Sequence, residues 1–392
     1  MSTINPVHPP LRKFPRKFIR WITIREHLTG YLFILPAVVI ISLFGFFPIG
    51  YAFYMSLYNW RVKQGPFIGD DNYVKAIGSW QGAAIFTGGF MLFLLAYLLW
   101  QKFSADSQVK RIIAGVVSLA IAGGGLWVVE QGWEQMAVKG DKAFLNSLPI
   151  TLYYSLGSVP IELAIALGLA FLLFQKNIRA KELFRMIYFL PYITPVVATA
   201  LVFRTIFNQR NTSLANQVMG LFNMGPFKWL FEPKAFNQVF LGLQLPGFWN
   251  GPSMALTSIM IFGVWTFVGY NTVIFLAGLG SISREYYEAA EIDGANKWQS
   301  FRHITLPLLS PVTFYLALVA FIGTFKAFNH IYVMRVPSAQ GTVNVASVSI
   351  FDTFYKANQY GYAAAQAILL FAIIMGLTLV QNKVFGKKVF YG

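Results

Sequence analysis

Cysteine is absent from all 392 residues. That excludes disulfides, thiolate nucleophiles and cysteine-based metal sites. Charge is scarce too: Asp, Glu, Lys and Arg together make up 12% of the chain, too little to cover a soluble domain. Acids are the scarcer sign, 15 against 31 basic residues. The four histidines, His8, His27, His303 and His330, show no metal-ligand spacing, so no metal residues are assigned. No phosphate-cradling G-x-x-x-x-G-K-[ST] occurs; Gly386-Lys387 lacks both the preceding glycine and the following hydroxyl. With no G-x-S-x-G elbow and no paired carboxylates in an apolar run, catalytic residues are not expected.

Apolar residues dominate what is there, at 56% with a mean hydropathy of +0.55. This composition points to a polytopic membrane protein. The formal charge of +16 raises nucleic acid as a partner, but the basic residues fall in short clusters between apolar runs, as cytoplasmic loops of membrane proteins carry them. The opening stretch holds Arg12, Lys13, Arg16, Lys17, Arg20 and Arg25 before the first acid, Glu26. The apolar run at 31–54 is too long for a cleaved signal and no small-x-small site follows it, so a retained signal-anchor helix is expected.

Eight apolar segments reach spanning length, near 31–54, 83–100, 112–129, 147–174, 186–203, 254–279, 308–332 and 361–382. If all cross, four basic clusters share the side of the N-terminal arm. They are Lys102, Lys110 and Arg111; Lys176, Arg179, Lys181 and Arg185; Arg284, Lys297 and Arg302; and Lys383, Lys387 and Lys388. The positive-inside rule then places both termini in the cytoplasm. Arg204, Arg210, Lys228 and Lys234 break the rule, in a long connection that carries less topological weight. That 204–253 connection, with Pro226, Pro233, Pro246 and Pro252, reads as an ordered external cap. Pro191 and Pro195 should kink the fifth segment, as a packing kink or a moving gate.

The most informative stretch is 284–311, between the sixth and seventh segments. Ser283 is placed to cap a short helix, with Glu285 and Glu288 complementing its positive end. Asp293-Gly294 should stop that helix, and Asn296 with Gln299 should cap a second one running to about His303. The product is a helix–turn–helix knob fixed between two spans. An ordinary charged loop is the alternative that this physical reading leaves open.

Glu288-Ala289-Ala290, Asp293-Gly294-Ala295, Phe301 and Ile304-x-Leu306-Pro307 resemble, without a gap, the EAA signature of binding-protein-dependent ABC importer permeases. The resemblance implies an all-α transmembrane bundle with six core spans and a coupling loop, here 281–307, seated in a cleft on a separate ATPase. Glu288 would make a polar contact there, Ala289 and Ala290 would allow close approach, and Gly294 would make the turn, with Asp293, Ala295 and Pro307 completing the motif. Pro36 and Phe46–Tyr58, Phe67-Ile68-Gly69, Asp71-Asn72-Tyr73, Phe189-Leu190-Pro191 and Gly361-Tyr362-Ala363 are similar to the carbohydrate-uptake branch, the maltose and glycerol-phosphate type. The implied partners are a second permease, an ATPase dimer that binds ATP and Mg, an external solute-binding protein, a sugar and membrane lipid, in a bacterial inner membrane. No cofactor is implied in this chain, and no nucleic acid.

The resemblance divides the chain into a basic arm (1–28), a first span and loop (29–80), an inserted two-span hairpin (81–140) and the core permease (141–392). The hairpin is one departure from the family pattern. Arg335-Val336-Pro337-Ser338, where a glycine-rich stretch is common, is a second. Family substrate contacts carried across fall on Gly263, Phe267, Tyr270, Ala320, Gly323, Thr324 and Ala327. Tyr270 and Thr324 alone among these keep hydrogen-bonding side chains. Phe267, Tyr270 and Thr324 are therefore the substrate-pathway candidates, with helix packing as the alternative role for the two rings. Glu162 is an acid within an apolar segment. It motivates a rival reading, a proton-coupled secondary transporter, against a packing role for a protonated or hydrogen-bonded side chain.

Overall fold

In the computed structural model, residues 16–103, 108–174, 181–386 and 389–390 are described, with side chains from His27 onward. The first part of the basic arm and Lys176, Arg179, Lys387 and Lys388 lie outside them. The described residues form helices joined by short turns, and the chain divides into two compact units, Met1–Tyr54 and Met55–Gly392.

In the first unit, α1 (Arg16–Ile41) passes through a π-helical turn at Ser42–Phe46 into α2 (Phe47–Ser56). No side chain from His27 to Tyr54 is buried, although the His27–Ser56 span has a mean hydropathy of 2.6. A helix apolar on every face suits lipid or the helices of a neighbouring span.

The second unit begins with a pinned loop. Asn72, at the start of α3 (Asp71–Ile77), donates from Nδ2 to the carbonyls of Ser56 (2.8 Å) and Tyr58 (3.1 Å). The expected hairpin follows as α4 (Trp80–Phe103) and α5 (Gln108–Lys139). Its seam is made of small residues at seven-residue spacing, Gly82, Gly89 and Ala96 against Ser118, Gly125 and Gly132, all buried. A Cβ on Gly132 would lie 2.6 Å from the Cα of Phe86, so the two backbones touch. Without a hydrophobic driving force in lipid, such close van der Waals packing is what holds spanning helices together.

The core is organised around α6 (Lys142–Phe174) and α9 (Met254–Gly280), which pack along their lengths. Gly269 lets α9 press on α7 (Lys181–Ile193): a Cβ there would sit 1.7 Å from the Tyr188 carbonyl oxygen. The kinked fifth segment is a pair of helices, α7 and α8 (Val196–Ile206), bent by 96°. Pro195 caps α8 in non-helical backbone and brings no N–H to continue α7. Six single helices meet the length and hydropathy of a span among the described residues, or eight segments if each bent pair is one span.

The seventh segment departs from the expected 308–332. It enters through a 62° bend at Leu309, runs as α12 (Ser310–Phe325) and stops. A separate α13 (Asn329–Met334) follows. Hydropathy alone cannot register this break; beyond it His330 bonds Tyr154 on α6 at 2.7 Å.

The 204–253 connection is an ordered cap. Asn216 Oδ1 accepts from Phe227 N (2.9 Å) and Trp229 Nε1 (2.7 Å), while its Nδ2 donates to the carbonyls of Arg210 and Phe227. Where the glycine-rich family stretch is missing, Arg335 pairs in fork geometry with Asp352 (2.7 and 3.1 Å) and lies 4.0 Å over the Tyr332 ring. Burial by itself raises the Asp352 carboxyl, but hydrogen bonds from Arg335 and Lys356 outweigh it and hold the group below its ordinary value. An ion pair thus ties α13 to the π-helical turn Asp352–Lys356, which continues α14 (Ala346–Phe351). The last helix, α15 (Tyr360–Phe385), closes the bundle.

Candidate functional site

The knob is built by local rules. Ser283 Oγ accepts from Glu285 N (3.4 Å) and caps α10 (Arg284–Ile292). Its C-terminus closes as a Schellman motif: Ala295 N donates to Ala290 O (2.9 Å) and Gly294 N to Glu291 O (3.1 Å). Gly294 sits at φ +78°, the left-handed conformation that glycine adopts without strain. Asn296 and Gln299 form a full capping box, 2.9 and 2.8 Å, at the start of α11 (Lys297–Ser300).

A π-helical turn, Phe301–Thr305, then carries Leu306 N to Phe301 O. Pro307 follows at once and has no N–H to restore the α register. Tyr287 on α10 bonds the buried Thr305 through its hydroxyl at 3.0 Å, closing the knob on itself.

Glu288, Ala289, Asp293 and Gly294 are exposed; Ala290, Ala295 and Pro307 are half-buried. Beside them stand three apolar side chains that the motif did not single out: Ile292 is 87% exposed, Trp298 66% and Tyr286 54%. These large apolar groups are held out on a polar-edged knob, uncovered by the rest of the chain's second unit. Their signal in the sequence was hidden, because an isolated Ile or Trp in a short helix reads equally well as core.

Within the bundle, Phe267 and Tyr270 are brought together by a third ring, Tyr192 of the α7 bend. It stacks on Tyr270 at 4.7 Å and meets Phe267 edge-on at 6.1 Å. Thr324 is engaged elsewhere, its hydroxyl 2.7 Å from Ser155 Oγ on α6. Gly263 is buried under the Tyr154 hydroxyl, which lies 2.5 Å from where its Cβ would be. Glu162 is buried and accepts a short hydrogen bond from Asn271 Nδ2 on α9. This partner was missed because it lies 109 positions away in the sequence.

These features define an all-helical, multi-pass membrane permease with a helix–turn–helix knob between two of its spans. The chain belongs to the family of binding-protein-dependent transport system inner membrane components, whose family model matches residues 163–391, more than half of the chain. Among its relatives, the arabinooligosaccharides transport system permease protein AraP of Bacillus subtilis (strain 168) is 29% identical, over 77% of this chain and 88% of that one. AraP of Halalkalibacterium halodurans is 30% identical over 74% and 84%. The lactose transport system permease protein LacF of Rhizobium radiobacter is 27% identical over 90% and 93%. The fold is shared with a chain of a bacterial ABC transporter involved in import of the acidic polysaccharide alginate, with a TM-score of 0.62 at 18% identity, covering 94% of this chain and 98% of that one.

Proposed function

We propose that this chain is a membrane subunit of an ATP-binding-cassette importer for a sugar or a related polyol or oligosaccharide, and that it couples to a separate ATPase through the 281–307 knob. The knob carries the reading. It is rigid through its Schellman closure and capping box, yet leaves Ile292 and Trp298 uncovered beside Glu288. A cleft on the ATPase would cover them, with Glu288 making a polar contact and Ala289 and Ala290 keeping the helix surface low. ATP and Mg would be bound by that partner. The remaining partners are a second permease, which would cover α1 and α2, and an external solute-binding protein; a solved neighbour is described in complex with an alginate pentasaccharide-bound periplasmic protein.

The sugar class is supported by the names of the relatives, arabinooligosaccharide and lactose permeases. It is supported too by the Tyr192, Phe267 and Tyr270 rings, since sugars stack their C–H faces on aromatics. The inner membrane is the expected location, with both termini in the cytoplasm. Alternating access would follow from ATPase closure drawing the knobs together.

The test is uptake in vesicles holding the co-expressed complex, with ATP inside and proton gradients collapsed. Uptake that needs ATP and the binding protein, and is lost in Glu288→Lys, is expected. Uptake that follows a proton gradient without ATP would refute the reading and return attention to Glu162.

A further inference from the structure

The knob is joined covalently to α9 and α12, and both joints are irregular. On the α9 side the helix ends in a turn, Ser281 N to Gly278 O. On the α12 side lie the π-helical turn and the 62° bend. Neither joint continues its span as unbroken α-helix. A third connection is made by side chains alone. Phe301 of the knob meets Phe171, at the far end of α6, edge-on at 5.0 Å. Phe301 also stacks on the exposed Trp298 at 5.6 Å. A line of rings therefore runs from the knob surface into α6.

α6 is continuous from Lys142 to Phe174 despite Pro149 and Pro160, and it holds the core together through buried polar side chains. Thr151 Oγ1 accepts from Ala346 N at the start of α14 (2.8 Å). Tyr154 bonds His330 of α13, Ser155 bonds Thr324 of α12, and Glu162 accepts from Asn271 of α9. Phe171 lies nine residues beyond Glu162, about two and a half turns along the helix. Phe171 therefore sits on one continuous helix with side chains that bond four other elements. A buried polar bond resists separation strongly, because each group left unpaired bears its full desolvation cost.

We propose that Phe171 and Phe301 are positioning residues for transport: their ring contact makes α6 move with the knob, so that docking of the ATPase is delivered to the helix that holds α9, α12, α13 and α14. This rests on the coupling role proposed for the knob. The covalent joints then serve as hinges, and α6 as the strut.

The absence of cysteine makes the contact directly testable in the co-expressed complex in vesicles. Phe171→Ala should retain the ATPase on purification but move about fivefold less substrate per ATP hydrolysed, while the ring-preserving Phe301→Tyr keeps the wild-type ratio. A chain carrying Phe171→Cys and Phe301→Cys lacks both rings and should be impaired like Phe171→Ala, and bridging the pair with a short bifunctional thiol reagent should restore uptake to within about twofold of wild type, since the two sites move together. The proposal is overturned if Phe171→Ala leaves the ratio unchanged, or if bridging the two cysteines leaves uptake as low as in the unbridged pair. Should Phe171→Ala fail to assemble, the bridged protein decides. Failure of the coupling role itself reads out separately, as a Glu288→Lys complex that keeps wild-type uptake.

Discussion

Replacing Gly294 separates two reasons why a glycine stands in the knob. Its φ of +78° lies in the left-handed region, and a Cβ added there meets nothing within 4 Å in this chain. Alanine should therefore cost backbone strain and no clash, about 1–2 kcal/mol. That cost opens the Schellman closure by a factor of about 5 to 30. Asparagine tolerates the same conformation and should cost a fraction of it. The direct assay is hydrogen exchange at the amides of Asp293 and Ala295, which donate to Ala289 O and Ala290 O. Exchange should quicken by that factor in Gly294→Ala and stay near wild type in Gly294→Asn. Equal protection in both variants would refute the backbone argument. Uptake adds a second discrimination. If glycine is needed for its conformation, Gly294→Asn transports; if it is needed for close approach to the ATPase, both variants fail although the asparagine knob is closed.

Three further outcomes are expected. Gly269→Ala puts a Cβ 1.7 Å from Tyr188 O, so α7 must move off α9, at a cost of about 1–3 kcal/mol or more; thermal unfolding in detergent should show it, with Gly280→Ala, which meets nothing, as the silent control. Glu162→Gln should keep both the hydrogen bond to Asn271 and ATP-driven uptake, whereas Asn271→Leu strands a buried carboxyl and should destabilise by about 1–3 kcal/mol; loss of uptake in Glu162→Gln at normal protein levels would contradict the packing role. Asp352 is held below its usual value of 3.8, so the stability of its pairing is present above that value and is lost as pH falls through the lower folded value. Proteolysis of the 335–357 segment should therefore rise in strong acid, and Arg335→Met should be nicked at neutral pH as well.

The spans, the hairpin and the knob could all be read from the sequence because each is fixed within a few turns of chain. Apolar length sets a span, Asn296 with Gln299 sets a cap, and glycine after Asp293 sets a stop. Even the hairpin seam is written there, as small residues every seventh position in both helices. The surroundings of the proposed substrate-pathway residues were less legible. Phe267 and Tyr270 do share an aromatic cluster, but Thr324 is spent on Ser155, and Tyr192 comes from another element altogether.

Tertiary structure alone decided the long-range polar pairs. Tyr154 with His330 and Glu162 with Asn271 are separated by 176 and 109 positions, and nothing local marks either partner. The break at 326–328 belongs with them, since no proline or glycine stands at the break to announce it. The reason is the solvent that surrounds this chain. In lipid, hydropathy dictates which segments cross, while a buried polar group is satisfied only by whichever helix the fold brings beside it.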